Sequence, residues 1–203
     1  ACFIVVVKPS LSSLAYAKRK VIEKGLKNVQ FLHADILQLK ALNRKFDIIE
    51  CLGVLHHMRD PLNGLSILLN LLKPHGLLRL GLYSSIARQH VIKARQFIKE
   101  NKFENTTEDI RNCRMAINDQ ADDKLLCKIS NGRDFYSTST LRDLIFHVQE
   151  CHFTLPQLSN ILKNFNLEFL GFTNMLMKKK ITKLINKDKI SESFRNLNKY
   201  ELD

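Results

Sequence analysis

Phe46-Asp-Ile-Ile-Glu-Cys-Leu-Gly-Val-Leu-His-His-Met-Arg-Asp-Pro61, followed by Leu71-Leu-Lys-Pro-His-Gly-Leu-Leu-Arg-Leu80, decides how the chain folds. Phe46 to Cys51 is a short, mostly apolar run of the kind that forms a buried strand. Asp60 stands directly before Pro61, which pairs a helix N-cap with a proline at the first helical position. Leu62, Leu65, Leu69 and Leu72 then recur at helical spacing and give the new helix an apolar stripe. Pro74-His75-Gly76 is expected to end that helix, and Leu77 to Tyr83 reads as the next strand.

The same alternation extends upstream. Phe3-Ile-Val-Val-Val7 is a continuous β-branched run, as expected of a strand buried on both faces. Ser10 or Ser12 can cap the helix that follows, whose Leu11, Leu14, Ala17 and Val21 share a face and which Gly25 stops. Val29 to His33 is a second strand, and a short helical stretch around Ile36 to Leu42 leads back to Phe46. Strand–helix alternation of this kind predicts an α/β fold with a mostly parallel sheet covered by helices on both faces.

Downstream the pattern changes. Residues 84–150 are polar and helical in pattern, with Leu141, Leu144, Ile145 and Val148 on one face. Their length is too great for a plain loop and predicts a helical insertion over the sheet's edge. Thr154-x-x-Gln157 is a capping box opening a helix with Leu155, Leu158, Ile161, Leu162 and Phe165. Leu167 to Phe172 is read as a last strand. The expected order is a core over 1–83, the insertion over 84–150, the last helix and strand over 151–173, and a basic tail, helical and loosely attached, over 174–203.

Composition narrows the class. Hydrophobic residues make up 45% of the 203, enough for a core, and no apolar run reaches the roughly 18 residues of a membrane helix. The Phe3–Val7 run has no basic region before it, so a signal peptide is not expected. Cys2, Cys51, Cys113, Cys127 and Cys151 are odd in number and widely spaced, which argues against a disulfide framework or a zinc site and for a cytoplasmic protein with reduced thiols. The net charge is +12. Lys18, Arg19, Lys20, Lys24 and Lys27 form one basic run, and Lys178, Lys179, Lys180, Lys183, Lys187 and Lys189 another. Aromatic stacking platforms do not interleave them, so a solvated lysine-rich surface is favoured over nucleic-acid binding.

In open parallel sheets, ligands bind beyond the carboxyl ends of the strands. Those ends carry Val7-Lys8-Pro9, His33-Ala34-Asp35-Ile36, Cys51-Leu52-Gly53-Val54-Leu55-His56-His57 and Tyr83-Ser84. The Asp35 carboxylate could accept from an adenine amino group while Ile36 packs on the ring. An Asp at a strand end also commonly serves as a cap.

The paired stretches quoted first resemble class I S-adenosylmethionine-dependent methyltransferases of the broad type 11/12 group, with usual texts near FDxIxxxxVLHHxxDP and LLKPGGxLxL. Order and spacing match, with His75 in place of the first glycine. The resemblance covers about Phe3 to Tyr83, and more loosely Thr154 to Phe172. Ser10-Leu-Ser-Ser-Leu-Ala-Tyr-Ala-Lys-Arg-Lys20 and Phe146-His-Val-Gln-Glu150 resemble a bacterial subgroup, some members of which are fused to tetratricopeptide repeats. The resemblance implies a Rossmann-like fold and S-adenosylmethionine as cofactor. Asp35 and Ile36 would flank its adenine, and Cys51, Leu52 and Gly53 would lie beside its methionine part. His56 and His57 would face or support the reacting end, although capping or stacking under the loop is an equal alternative for each. No metal is implied.

Two departures stand out. The family's first strand ends in a glycine-rich loop, whereas no glycine precedes Gly25 here, and the family's second strand ends in an acid that grips the ribose, where this chain has Lys8 and Pro9. The chain is therefore expected to lack the first, central strand, as a fragment or a degenerate copy. Methyl transfer to a small molecule, lipid, sugar or protein group is the first functional expectation. A noncatalytic interaction module and an RNA-binding or RNA-methylating protein are the alternatives.

Overall fold

The computed structural model describes residues 3–147 and 149–172. The chain forms two compact units, residues 1–81 and 82–203. The basic tail expected over 174–203, and Val148, lie outside the described residues.

The first unit alternates strands and helices in the expected order. Strand β1 (Ile4–Lys8) leads into helix α1 (Leu11–Glu23), β2 (Val29–His33), a 3-10 helix (Ile36–Ala41), β3 (Phe46–Leu52), a 3-10 turn (Leu55–His57), helix α2 (Pro61–Leu71) and β4 (Leu72–Gly81). Each helix start follows from its sequence. The Ser10 hydroxyl accepts from the Ser13 amide at 3.3 Å, and Asp60 accepts from the Leu62 and Asn63 amides at 3.1 and 3.0 Å. A cap of this kind is worth about 1 kcal/mol. Gly25, at φ +66, gives the chain the left-handed turn that follows α1.

All observed strand pairings are parallel. β1 pairs β2 from Ile4↔Val29 to Lys8↔His33, and β3 pairs β4 from Phe46↔Leu72 to Leu52↔Gly81. These are two separate two-stranded sheets, and among the described residues β1 and β3 share no ladder. Among the described residues a backbone edge of each therefore stays without a strand partner. The burial of β1 differs accordingly from the expectation of a strand covered on both faces: Ile4 is 44% exposed and no residue of β1 is fully buried. Its cover comes from one edge partner and from α1, which contributes only Leu14 to the core. Ile48 and Leu77, paired across β3 and β4, are also exposed, at 62% and 49%. The core of this unit instead gathers around α2, where Leu65, Ile67, Leu68 and Leu71 pack with Leu55, Ile36 and Leu39. Burying each such side chain contributes roughly 1.5–3 kcal/mol.

α2 ends at Leu71, three residues before the Pro74 expected to stop it. Leu72 is taken instead into the ladder opposite Phe46, after which the register jumps to Ile48↔Leu77. Lys73 to Gly76 form the resulting bulge, with His75 at φ +60. Strand pairing of Leu72 thus outcompetes one more helical residue.

The second unit is a helical body with a core of its own. It contains α3 (Gln89–Glu100), α4 (Thr107–Asn118), α5 (Lys124–Ser130), a 3-10 turn (Arg133–Phe135), α6 (Thr138–Ile145) and α7 (Leu155–Asn164). Val91, Ala94, Ile110, Cys113, Ile117, Leu126, Ile129, Phe135, Leu141 and Ile145 form its buried centre. The sequence marks α6 through Leu141 and Ile145, and the Thr154–Gln157 capping box opens α7 as expected. Residues 167–172, in contrast, form no strand. Gly171 takes φ +138, and Phe169 and Phe172 meet edge to face at 4.8 Å, a local packing that replaces extended pairing.

Candidate functional site

The carboxyl ends of β1 and β2 come together within the first unit. The Ala34 amide donates to the Lys8 carbonyl at 3.3 Å, and the His33 imidazole lies 2.9 Å from the Pro9 carbonyl through Nε2. Burial pushes the Cys51 thiol up, while the Leu55 backbone and the Lys8 charge oppose that rise. At 7% exposure, Cys51 is a protonated core thiol at neutral pH rather than a nucleophile.

Asp35 is exposed and caps the 3-10 helix that follows it. Its Oδ1 accepts from the Leu37 amide at 2.8 Å, and its own amide donates to the Gln38 side chain at 2.7 Å. The capping role recognised beside the ligand role is therefore realised in the structure. Ile36, at 9% exposure, points into the core of the unit.

Leu52 is 47% exposed and passes into Gly53 at φ +72, a left-handed conformation that a residue with a Cβ adopts at a cost. Leaving aside Gly53 itself and its neighbours Leu52 and Val54, no heavy atom lies within 4 Å of where a Gly53 Cβ would stand. The glycine is required by its backbone conformation and leaves open space at the end of β3. The Gly53 amide bonds the Gly81 carbonyl at 3.4 Å, which ties this turn to the end of β4.

The two histidines separate. His56 is 1% exposed and His57 half-buried, with their rings edge to face at 4.4 Å. His56 sits with Leu55 under the turn, so of the two His57 is the one solutes can reach. α2 closes on this turn through Gly64, where a Cβ would stand 2.6 Å from Met58 Sδ and 2.8 Å from Leu55 Cδ2. Sequence reading missed the His33–Pro9 contact, because it depends on strand order and not on local pattern.

Among the described residues, no cluster of three or more His, Cys, Asp or Glu is placed to hold a metal, and no helix is long and apolar enough to cross a membrane.

Comparison with known proteins bears on the family and the fold. The methyltransferase-domain family matches residues 2–199. An uncharacterized protein of Synechococcus sp. is 26% identical over 211 residues, which is 98% of this chain and 49% of that protein. The solved structure of PKMT2 from Rickettsia typhi has a TM-score of 0.67 at 18% identity, covering 97% of this chain and 40% of that one. The same protein in complex with AdoHcy gives 0.65 at 20% identity, covering 97% and 41%. At these identities the solved structures establish the Rossmann-like α/β fold alone. The chain spans about half the length of the curated relative, or less in the case of the solved structures.

Proposed function

Because the chain belongs to the methyltransferase-domain family, we propose that it takes part in S-adenosylmethionine-dependent methyl transfer, with the cofactor lying across the carboxyl ends of β1–β3. The observation that carries this reading is the family match over residues 2–199.

The side chains fit the cofactor on one side and not the other. Gly53 offers a Cβ-free surface with room above it, Leu52 is exposed beside it, and Asp35 is exposed at the end of β2. These residues suit the methionine and adenine parts. On the ribose side Lys8 ends β1, and an ammonium has no lone pair with which to accept from sugar hydroxyls. When bound, S-adenosylmethionine supplies a sulfonium methyl group for direct displacement by a nucleophilic acceptor. Alignment and exclusion of water supply most of the acceleration of such a step. Gly53 and Leu52 shape the surface on which that alignment is set. In this reading His57, the more accessible of the pair, takes a proton from an acceptor that must lose one, with the His56 ring edge to face against it at 4.4 Å.

The test is release of AdoHcy when the chain is incubated with S-adenosylmethionine and acceptors presenting amine, carboxylate or hydroxyl groups. Turnover above the protein-free rate, lost in Gly53→Leu, supports the proposal. Absence of turnover with every class rejects catalysis by this chain and leaves a noncatalytic member of the family.

A further inference from the structure

The second unit buries a charged cluster that methyl transfer does not call on. The Glu150 side chain is 0% exposed. Its Oε1 accepts from Arg88 Nε at 2.7 Å and pairs with His152 Nε2 at 2.9 Å, and its Oε2 accepts from Arg95 Nη2 at 2.7 Å. The Arg88 guanidinium also lies over the Tyr83 ring, 4.0 Å from its centroid. The cluster thus joins the start of α3 to the segment before α7, where Ser84 and Phe153 form a parallel bridge.

Charge and donors are both in surplus. Two guanidinium groups face one carboxylate, so among the described residues one positive charge is left without a counterpart. A guanidinium carries five N–H donors. Arg88 and Arg95 each give Glu150 one, and Arg95 Nε is buried with no hydrogen-bond partner among the described residues. A buried donor left unpaired is costly, and a charged one more so. Exposure is graded in the direction a ligand needs. The carboxylate is closed off, while the Arg88 and Arg95 side chains remain 15% and 22% exposed. The surroundings are electropositive as well: burial first, then the charges of Lys128 and Arg88, hold the His90 imidazole below its usual range.

We propose that Arg88 and Arg95, braced by Glu150 and Tyr83, form a binding site for a small oxyanion, a carboxylate or a phosphate group. A planar guanidinium pair with one uncompensated charge matches a two-oxygen anionic group in both geometry and sign. Glu150 and His152 hold the two arginines in place, and the Tyr83 face fixes the plane of Arg88.

The site is tested by NMR titration of the 203-residue chain with inorganic phosphate and, separately, with acetate, at constant pH and ionic strength. The Nε–Hε signals of the arginines are followed. The signals of Arg88 and Arg95 are expected to shift along a saturable curve with a midpoint of about 1 mM, and Arg95→Lys to weaken that binding by about tenfold or more. Saturation by phosphate alone assigns a phosphate site, and by acetate alone a carboxylate site. Linear shifts with both anions in the unsubstituted chain overturn the proposal without need of the variant. Saturable binding that Arg95→Lys leaves unchanged overturns it too.

Discussion

Moving one glycine by a single position is the sharpest test of the bulge that links β3 and β4. His75 holds φ +60 and is exposed. A non-glycine residue in the left-handed region costs roughly 1–2 kcal/mol. Glycine avoids that cost but gives back about 0.4–1 kcal/mol through the freer unfolded chain. His75→Gly is therefore expected to stabilise the first unit by about 0.5–1 kcal/mol. Gly76 is the opposite case. A Cβ there would stand 2.8 Å from Leu72 Cγ and 2.9 Å from the Lys73 carbonyl oxygen, and the carbonyl belongs to the backbone of the same bulge. It cannot swing aside as a side chain would, so Gly76→Ala is expected to destabilise by about 1–3 kcal/mol. Urea unfolding followed by far-ultraviolet circular dichroism reads both. With a slope of about 2 kcal/mol per molar, His75→Gly should raise the transition of the strand-bearing unit by about 0.3–0.5 M and Gly76→Ala should lower it by more. A lower midpoint for His75→Gly, or no loss for Gly76→Ala, would refute the assignment of strain to position 75 and of close packing to position 76.

Three further outcomes follow from the packing and the charges. Gly64→Ala gains about 1 kcal/mol of helix propensity but pushes a methyl group onto Met58 Sδ at 2.6 Å and Leu55 Cδ2 at 2.8 Å. A net loss of about 1–2 kcal/mol in urea unfolding is expected, and a gain would mean that the turn over α2 yields freely. Burial pushes the Glu150 carboxyl up, but hydrogen bonds from Arg88 and His152 and the charges of Arg95 and Arg88 outweigh it and leave the group below the usual 4.5. A depressed folded value means stability that is present above pH 4.5 and lost as pH falls through the lowered value. The helical unit should therefore lose urea resistance below about pH 4.5 in the unsubstituted chain, and Glu150→Gln should lack that component of the acid response. Burial pushes the Cys113 thiol up to about 12 and raises Cys51 as well. Iodoacetamide at pH 8 should label the half-buried Cys127 and Cys151 before Cys51 and Cys113, and rapid labelling of Cys113 in the folded chain would show that the helical core opens readily.

Many of the elements are legible in the sequence because their signals are local. The β-branched run at Ile4–Val7, the Asp60–Pro61 pair and the Thr154–Gln157 box each specify an element through chemistry confined to a few neighbours. The end of α2 is not local. Leucines run through residue 72 on the helical stripe, and only the presence of β3 beside Leu72 turns that residue into a strand. Residues 167–172 alternate like a strand, yet alternation without a neighbouring strand does not make a ladder. The helical residues 84–150 show their amphipathic faces in the sequence, but not that those faces meet to form a core of their own. At the site, Gly53 and Asp35 are recognisable by type and position. The burial of His56 is not, since two adjacent histidines look alike until the turn points one of them inward. The Arg88–Glu150–Arg95 cluster joins positions far apart in the chain, and no periodicity announces it.

The most direct measurement of the central claim is an NMR titration of the chain with S-adenosylmethionine, observed at backbone amides. With Lys8 in place of a ribose acceptor, the loss of a charge-assisted contact weakens binding by roughly 10–150-fold, so saturation is expected no earlier than about 1 mM. The account predicts shifts centred on Asp35, Ile36, Leu52 and Gly53 that disappear in Gly53→Leu, whose side chain fills the open space above the turn. Shifts confined to residues 82–172, or no shifts up to several times that concentration, would contradict a cofactor site at the carboxyl ends of β1–β3.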